Sequence, residues 1–290
     1  MKQYILSSFI SKDGGGNLAA VVLDDKGLSR EQMLAIAKEN NLSETAFVDL
    51  KSSDMKNWVI RYYTPMEEVD ICGHAALASF YLLDNIGKID SYEVFHKTKA
   101  GKLKVIKKEN MFFIEMKTPE IIDFFTIDEV MDFTTLNKQD ILPNKIGNIS
   151  IVSTGLKDAI ILVPSLRALK NTNIKKEKMI YHCNRKNIIG AHIVSRETIE
   201  NDSDFAVRNF APAVGIDEES ATGTSNASLI YYAIHEGIGK RKERPYKIEQ
   251  GYFMESPSNI YVYPDNNEVT EIYVGGNVKV IDSMELGVRC

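Results

Sequence analysis

Cysteine is scarce, basic charge falls short of acidic charge, and long apolar runs are missing. The three cysteines, Cys72, Cys183 and Cys290, are odd in number and far apart. That spacing supports neither a disulfide scaffold nor a zinc motif, and a reducing cytoplasm is the consistent setting. No window approaches the ~20 apolar residues that a membrane-spanning helix needs. Met1-Lys2-Gln3 is followed by only Tyr-Ile-Leu before Ser7-Ser8, too short a run for a secretory signal. With 35 basic against 40 acidic residues the net charge is −5, the wrong sign for a nucleic-acid partner. The basic runs Lys175–Lys178 and Lys240–Arg244 are interrupted by Glu and read as solvated faces. His96, His182, His192 and His235 stand apart without ligand spacing and read as structural or solvated. What remains, 44% hydrophobic and 26% charged over 290 residues, suits a globular protein of two domains.

The chain is organised around Arg61–Leu83. Trp58 to Tyr63 is aromatic and β-branched, a strand that Pro65 ends by lacking an N–H. A short acidic loop (Glu67, Glu68, Asp70) follows, then Cys72-Gly73-His74 and an apolar Ala/Leu/Phe pattern that suits a buried helix. The first N–H groups of such a helix lack internal partners, and the macrodipole favours an anion there. The plainer reading is a helix start with glycine for backbone freedom and an incidental histidine.

A second stretch has the same outline. Thr222-Gly223-Thr224 opens another apolar helix, with Gly223 standing 150 residues after Gly73 and an acidic run (Asp217, Glu218, Glu219) before it. One copy in each half suggests duplicated domains, with two helix N-termini converging on one cleft.

Elsewhere the elements follow local rules. Gln3–Phe9 and Leu18–Leu23 read as strands around the turn cluster Ser11–Asn17, whose glycines allow close backbone approach. Ser29 with Gln32 forms a capping box for a helix ending near Asn40-Asn41. Leu42–Val48 is a strand with Glu44 at its mouth; alone, that glutamate reads as a solvated side chain. Tyr92–His96 is a strand, and Gly101–Ile106 and Met111–Met116 form a hairpin over Lys107–Asn110. Asp123–Leu142 is expected to be helical, with Thr126 as a possible N-cap. Ile149–Ser153, Asp158–Val163, Asn187–Val194 and Asp204–Phe210 are strands, and Ser165 starts a helix between the second and third. Ile248–Phe253, Asn259–Tyr263 and Glu268–Val274 form a late meander, with Val278–Ile281 as a last strand.

Several segments together resemble a known family: Gly16-Asn17, Ser43–Phe47, Arg61–Pro65, Cys72–Ala75, Ser153–Gly155, Pro212 with Gly215-Ile216, Ala221–Gly223, Pro257-Ser258 and Gly275-Gly276. In order they resemble the PhzF-like phenazine-biosynthesis family, within the diaminopimelate-epimerase-like fold. The resemblance implies an α+β protein of two pseudo-symmetric domains, each a β-barrel-like sheet wrapped around a central helix. It places the first domain at 1–120 plus a C-terminal strand at about 278–290, and the second at 121–277. It also implies a homodimer, a small-molecule carboxylate substrate, no cofactor and no metal.

The same resemblance implies the chemistry: proton removal and return beside a carboxylate. Racemases of this fold use one cysteine per domain; here Cys72 holds the first position and Thr222 the second. The PhzF-like branch uses one glutamate for a 1,3-hydrogen shift, and Glu44 matches it as general acid/base. Burial against Phe47 is expected to raise its pKa. His74 matches the residue that orients substrate. Ser43 would steady the carboxylate or a substrate group, Asn17 and Cys72 are secondary candidates, and Glu219, Gly223 and Thr224 are substrate-binding candidates. Glu219-Ser220 replaces the family's Asp-Pro, and Thr224-Ser225 its Ser-Ala, so a substrate other than the phenazine intermediate is expected. Two other readings stand beside this one: an amino-acid epimerase or racemase using Cys72, and a non-catalytic small-molecule binder.

Overall fold

The computed structural model describes residues 1–286 apart from 100, 109, 241 and 267. Cys290, the last residues of the expected C-terminal strand, Arg241 of the basic run and Glu109 of the hairpin turn lie outside the described residues. The fold is mixed α+β, and the chain divides into two compact units, Met1–Glu115 with the chain from Gly275 onward, and Met116–Val274.

In the first unit β1 (Lys2–Ser8) pairs antiparallel with β2 (Asn17–Asp24) on one side. On its other side lies the returning strand Val278–Glu285, with a register shift between Ile5 and Leu6. The turn between β1 and β2 needs its glycines. Gly16 has φ +86°, and a Cβ there would sit 2.5 Å from the Ser8 carbonyl oxygen. Helix α1 (Arg30–Asn40) starts on the expected capping box of Ser29 and Gln32, and Asn41 closes it in the left-handed region. It is the crossover that lets β3 (Glu44–Asp49) lie parallel to β2, with Glu44 opposite Ala19. β4 (Asn57–Tyr63) runs antiparallel to β3.

The acidic segment after β4 is not a plain loop. Glu68–Val69 forms a short strand, β5, on β4, and Arg61 holds the Glu68 carboxylate with both Nε (2.8 Å) and Nη2 (3.0 Å). Helix α2 (Gly73–Asn85) follows. His74 to Phe80, Leu82 and Leu83 are all buried, so the helix is enclosed all round rather than along one stripe. It contacts β1, β2, β3 and the returning strand. It also crosses to β6 (Glu93–Thr98), parallel to β4. The expected hairpin closes the unit as β7 (Gly101–Lys108) and β8 (Met111–Glu115), which also meets α2.

The second unit begins with a correction. Asp123–Leu142 is not one helix. β9 (Glu120–Phe125) takes the first residues, pairing Phe125 with Ile149, because Ile121 to Phe125 is β-branched and aromatic. Thr126 does cap a helix, α3, but that helix covers only Ile127–Phe133, and Lys138–Asp140 is a single 3₁₀ turn. β10 (Ile149–Ser153) and β11 (Lys157–Val163) are antiparallel. Ser165 caps the short α4 (Leu166–Asn171). Lys175 precedes α5 (Lys176–Lys186), so the first basic run is a helix start whose Met179, His182 and Cys183 are buried.

β12 (Gly190–Ser195) runs parallel to β11; Asn187, expected in this strand, is instead the left-handed C-cap of α5. β13 (Phe205–Ala211) is antiparallel to β12 and carries the short β14 (Ile216–Glu219). Arg208 grips Glu218 at 2.8 and 2.7 Å. Helix α6 (Gly223–His235) then crosses to β15 (Tyr246–Gln250), parallel to β13, and β16 (Ser258–Pro264) pairs back on β15. The first and third meander strands end or start short of the expected bounds: Tyr252–Met254 is a 3₁₀ turn after Gly251 (φ +76°), and the third strand, β17, is only Ile272–Gly275. Among the described residues no helix is long and apolar enough to cross a membrane.

Candidate active site

Three segments of the first unit bring the expected residues together. Asn17 opens β2, Ser43 and Glu44 open β3, and Cys72-Gly73-His74 opens α2. The parallel pairing of β2 with β3 puts the first two at one sheet end, and α2 starts against it. His74 is the hub. Its Nε2 lies 3.2 Å from Glu44 Oε2 and 3.4 Å from Ser43 Oγ. Its Nδ1 lies 3.3 Å from Cys72 Sγ and 3.4 Å from Asn17 Nδ2. Ser8, which the sequence did not single out, donates its hydroxyl to the His74 carbonyl at 2.7 Å and pins the first turn of α2 to the end of β1.

Electrostatics correct one expectation. Burial of Glu44 does push its pKa upward, but the close contact with His74 and the His74 charge outweigh it. With help from Ser43 and Cys72, the carboxyl is held below its ordinary value. His74 moves the opposite way. Burial opposes its charge, yet contact with Cys72 and Glu44 lifts it well above its ordinary value. Burial and the Glu44 charge also push the Cys72 thiol up, against the pull of His74. The resting site is therefore a carboxylate beside an imidazolium. Glu44 Oε2 is buried with no aligned donor among the described residues, so the contact with His74 is Coulombic and leaves that oxygen's lone pairs available.

The entrance of α2 is bare. Cys72, the N-cap, makes no side-chain cap bond. Gly73 is not in the left-handed region, so backbone freedom does not explain it. A Cβ there would meet nothing within 4 Å, and the glycine keeps open space in front of the helix N–H groups.

The second unit gathers its own candidates at the start of α6. Thr222 is the N-cap, again without a side-chain cap bond. Its hydroxyl donates to Glu219 at 2.8 Å, and its N–H donates to Gln250 at 3.1 Å. Thr224 is held through its carbonyl, which accepts from Thr154 at 2.8 Å.

Comparison with known proteins decides the family. The sequence matches the PhzC-PhzF family, phenazine biosynthesis-like protein, over residues 6–283. It is 30% identical to an uncharacterised isomerase of Clostridium acetobutylicum, covering 98% of this chain and 97% of that one. The chain belongs to the PhzC-PhzF family. An uncharacterised isomerase of Bacillus subtilis is also 30% identical over 94% of this chain and 91% of its own. The crystal structure of the Bacillus anthracis phenazine biosynthesis protein of the PhzF family superposes with a TM-score of 0.82, at 25% identity and 99% coverage of both chains. With relatives of that class along its whole length, this PhzC-PhzF chain is an isomerase.

The other histidines of this PhzC-PhzF protein are built in differently. His96 Nε2 shares a 2.7 Å hydrogen bond with the Tyr62 hydroxyl, and burial drives its pKa down to about 3. His192 is fully buried between Asn209 and Asn226 and falls to about 4, again mainly through burial. Sequence reading missed the polar set behind α6. There Asn226 donates to the Thr222 carbonyl (2.7 Å) and Gln250 (2.8 Å), and Ser225 donates to the buried Asp158 (2.7 Å). The available signal was their place inside an otherwise apolar helical run, where a buried amide must find partners.

Proposed function

We propose that the protein isomerises a small carboxylate substrate without a cofactor. Glu44 takes a proton from one carbon and returns it to another, a 1,3-hydrogen shift. The observation that carries this reading is the Glu44 carboxylate, ionised by the imidazolium 3.2 Å away and holding an oxygen with no aligned donor. In the first step the C–H proton passes to Glu44, and the electron pair left on carbon delocalises toward the substrate carboxylate. Positive charge on His74 and the bare N–H groups of α2 stabilise that developing charge, so a base of low pKa can act. In the second step protonated Glu44, part of whose proton has exchanged with solvent, delivers a proton to the far end of the delocalised system. Glu219, Gly223 and Thr224 are proposed as further substrate-binding groups, on the strength of the second uncapped start of a buried helix.

A pseudo-symmetric duplication belongs to this reading. Helices α2 and α6 have 13 residues each, and their N-caps have φ, ψ of −138°, 116° and −128°, 108°. Ser8 and Thr154 make matching bonds to the carbonyls of His74 and Thr224, and Arg61–Glu68 matches Arg208–Glu218. In register, Glu44 faces Ala19 across β2 and β3, whereas Gly190, which follows the left-handed cap Asn187 by three residues as Glu44 follows Asn41, faces Asp158 across β11 and β12. Gly190 has no side chain where Glu44 stands, and the carboxyl opposite it, Asp158, is buried and bonded to Ser225, which suits a one-base reaction on Glu44. The epimerase reading fares less well: the Cys72 thiol has its pKa pushed up, and Thr222 stands where a second thiol would be needed. Incubation with small carboxylic acids in D₂O tests the proposal. Deuterium entering a C–H position supports turnover, and none with any acid favours the binding-only reading.

The charge states predict a pH window. Glu44's stabilising ionisation is present above its unfolded value, ordinarily 4.5, and is lost as pH falls through its depressed folded value. His74's is complete below its unfolded value, ordinarily 6.5, and is lost as pH rises through its raised folded value. Deuterium wash-in should therefore hold a plateau spanning at least 4.5 to 6.5, with an acid limb below it and an alkaline limb above it. An acid limb centred above 4.5 would contradict the ion pair.

Gly73→Ala should separate folding from chemistry. Alanine favours a helix over glycine by up to about 1 kcal/mol, and the added methyl meets no atom, so the unfolding midpoint should hold or rise. Turnover should fall because the methyl occupies the space before the helix N–H groups. Unchanged turnover would show that substrate does not approach there.

A further inference from the structure

The Glu44, Cys72 and His74 side chains offer one carboxylate oxygen, one sulfur and one ring nitrogen, all within 4.8 Å of one another. No metal motif was legible in the chain, because the glutamate comes from the start of β3 and the other two from the start of α2. From this geometry we infer that the trio binds a thiophilic divalent cation such as Zn²⁺, and that the bound ion blocks Glu44. The blocking consequence rests on the proposed isomerisation; the binding does not.

Tetrahedral zinc with bonds of roughly 2.0–2.3 Å needs its nitrogen and oxygen ligands about 3.4 Å apart, and its nitrogen and sulfur about 3.6 Å apart. The observed separations from His74 Nε2 are 3.2 Å to Glu44 Oε2 and 3.8 Å to Cys72 Sγ. Glu44 Oε2 reaches an ion on Nε2 with a shift of a few tenths of an ångström, whereas Cys72 Sγ, which lies nearer Nδ1 (3.3 Å), reaches it by turning its side chain toward Nε2. The buried Oε2, which no donor aligns with, supplies a lone pair without breaking a hydrogen bond. On binding, Cys72 and His74 each release one proton to solvent, leaving a thiolate and a neutral imidazole as ligands. Glu44 stays ionised, and a water or an anion fills the fourth position. A sulfur, an imidazole and a single carboxylate select Zn²⁺ or Co²⁺ over Mg²⁺ or Ca²⁺, which prefer oxygen cages.

Titration of the intact, reduced chain with Co²⁺ should give a thiolate-to-cobalt charge-transfer absorption that Zn²⁺ abolishes on displacement. Cys72→Ser should remove that band and weaken Zn²⁺ binding by about 100-fold or more, beyond the roughly 10–100-fold that loss of a mere supporting group costs. Glu44→Gln should weaken binding while keeping the band, and Cys183→Ser, altered in the buried face of α5, should leave both unchanged. Absence of the band, its survival in a folded Cys72→Ser variant, or its loss in Cys183→Ser would overturn the site. In the wild type, Zn²⁺ at the same occupancy should suppress deuterium wash-in, and undiminished exchange would overturn the blocking role. A band with no exchange for any carboxylate would uphold the ion site and remove the isomerisation reading instead.

Discussion

Glu44→Gln should lower turnover by about 10²–10⁴-fold, the range that a positioned general acid–base group contributes, while the protein still folds. The amide keeps the shape of the side chain but cannot accept the proton. It also removes the anion beside His74, so the imidazole's pKa should fall toward its ordinary value. Two readouts therefore move together: deuterium wash-in collapses, and the His74 ring titrates at lower pH by NMR. Cys72→Ser separates the alternatives, because a thiol base would make its loss as large as that of Glu44→Gln. The raised pKa of the thiol beside His74 argues for a smaller effect. Retained turnover in Glu44→Gln would sink the one-base mechanism outright.

The second large effect lies in the core that positions the site. Phe80 is fully buried in α2, edge-on to His96 at 5.3 Å and tilted against Phe112 at 6.3 Å. Phe80→Ala should cost about 3–5 kcal/mol, the transfer loss plus the cavity left in a helix enclosed on all sides. Chemical denaturation monitored by fluorescence of Trp58, which lies on β4 of the same unit, should report the loss directly. A loss under about 1 kcal/mol, a value in the range of volume-conserving swaps, would mean that α2 is not the centre of the packing. Turnover should fall as well, since His74 stands less than two turns before Phe80 on the same helix.

Much of this was legible in the chain because it is local. The capping boxes at Ser29 and Thr126 needed only a spacing of three residues. Helices α2 and α6 start at the two glycines that the chain marked out. Errors arose where pairing partners decide. Ile121 to Phe125 suits a helix or a strand by pattern, and β10 settles it as a strand. Glu68 looked like loop acid until Arg61 on the neighbouring strand took it in two bonds.

The sequence by itself determined which residues could carry the chemistry: one glutamate after a polar turn, one histidine behind a glycine, and one thiol where a pair would have been needed. Only the tertiary structure decided their charges. Burial alone would have raised Glu44, and the expectation built on it was wrong in sign, because ionisation depends on the charge a few ångströms away in space. That neighbour is supplied by another element, the first turn of α2. So the same contact that holds Glu44, the proposed base, ionised also gathers one oxygen, one sulfur and one nitrogen within 4.8 Å of one another.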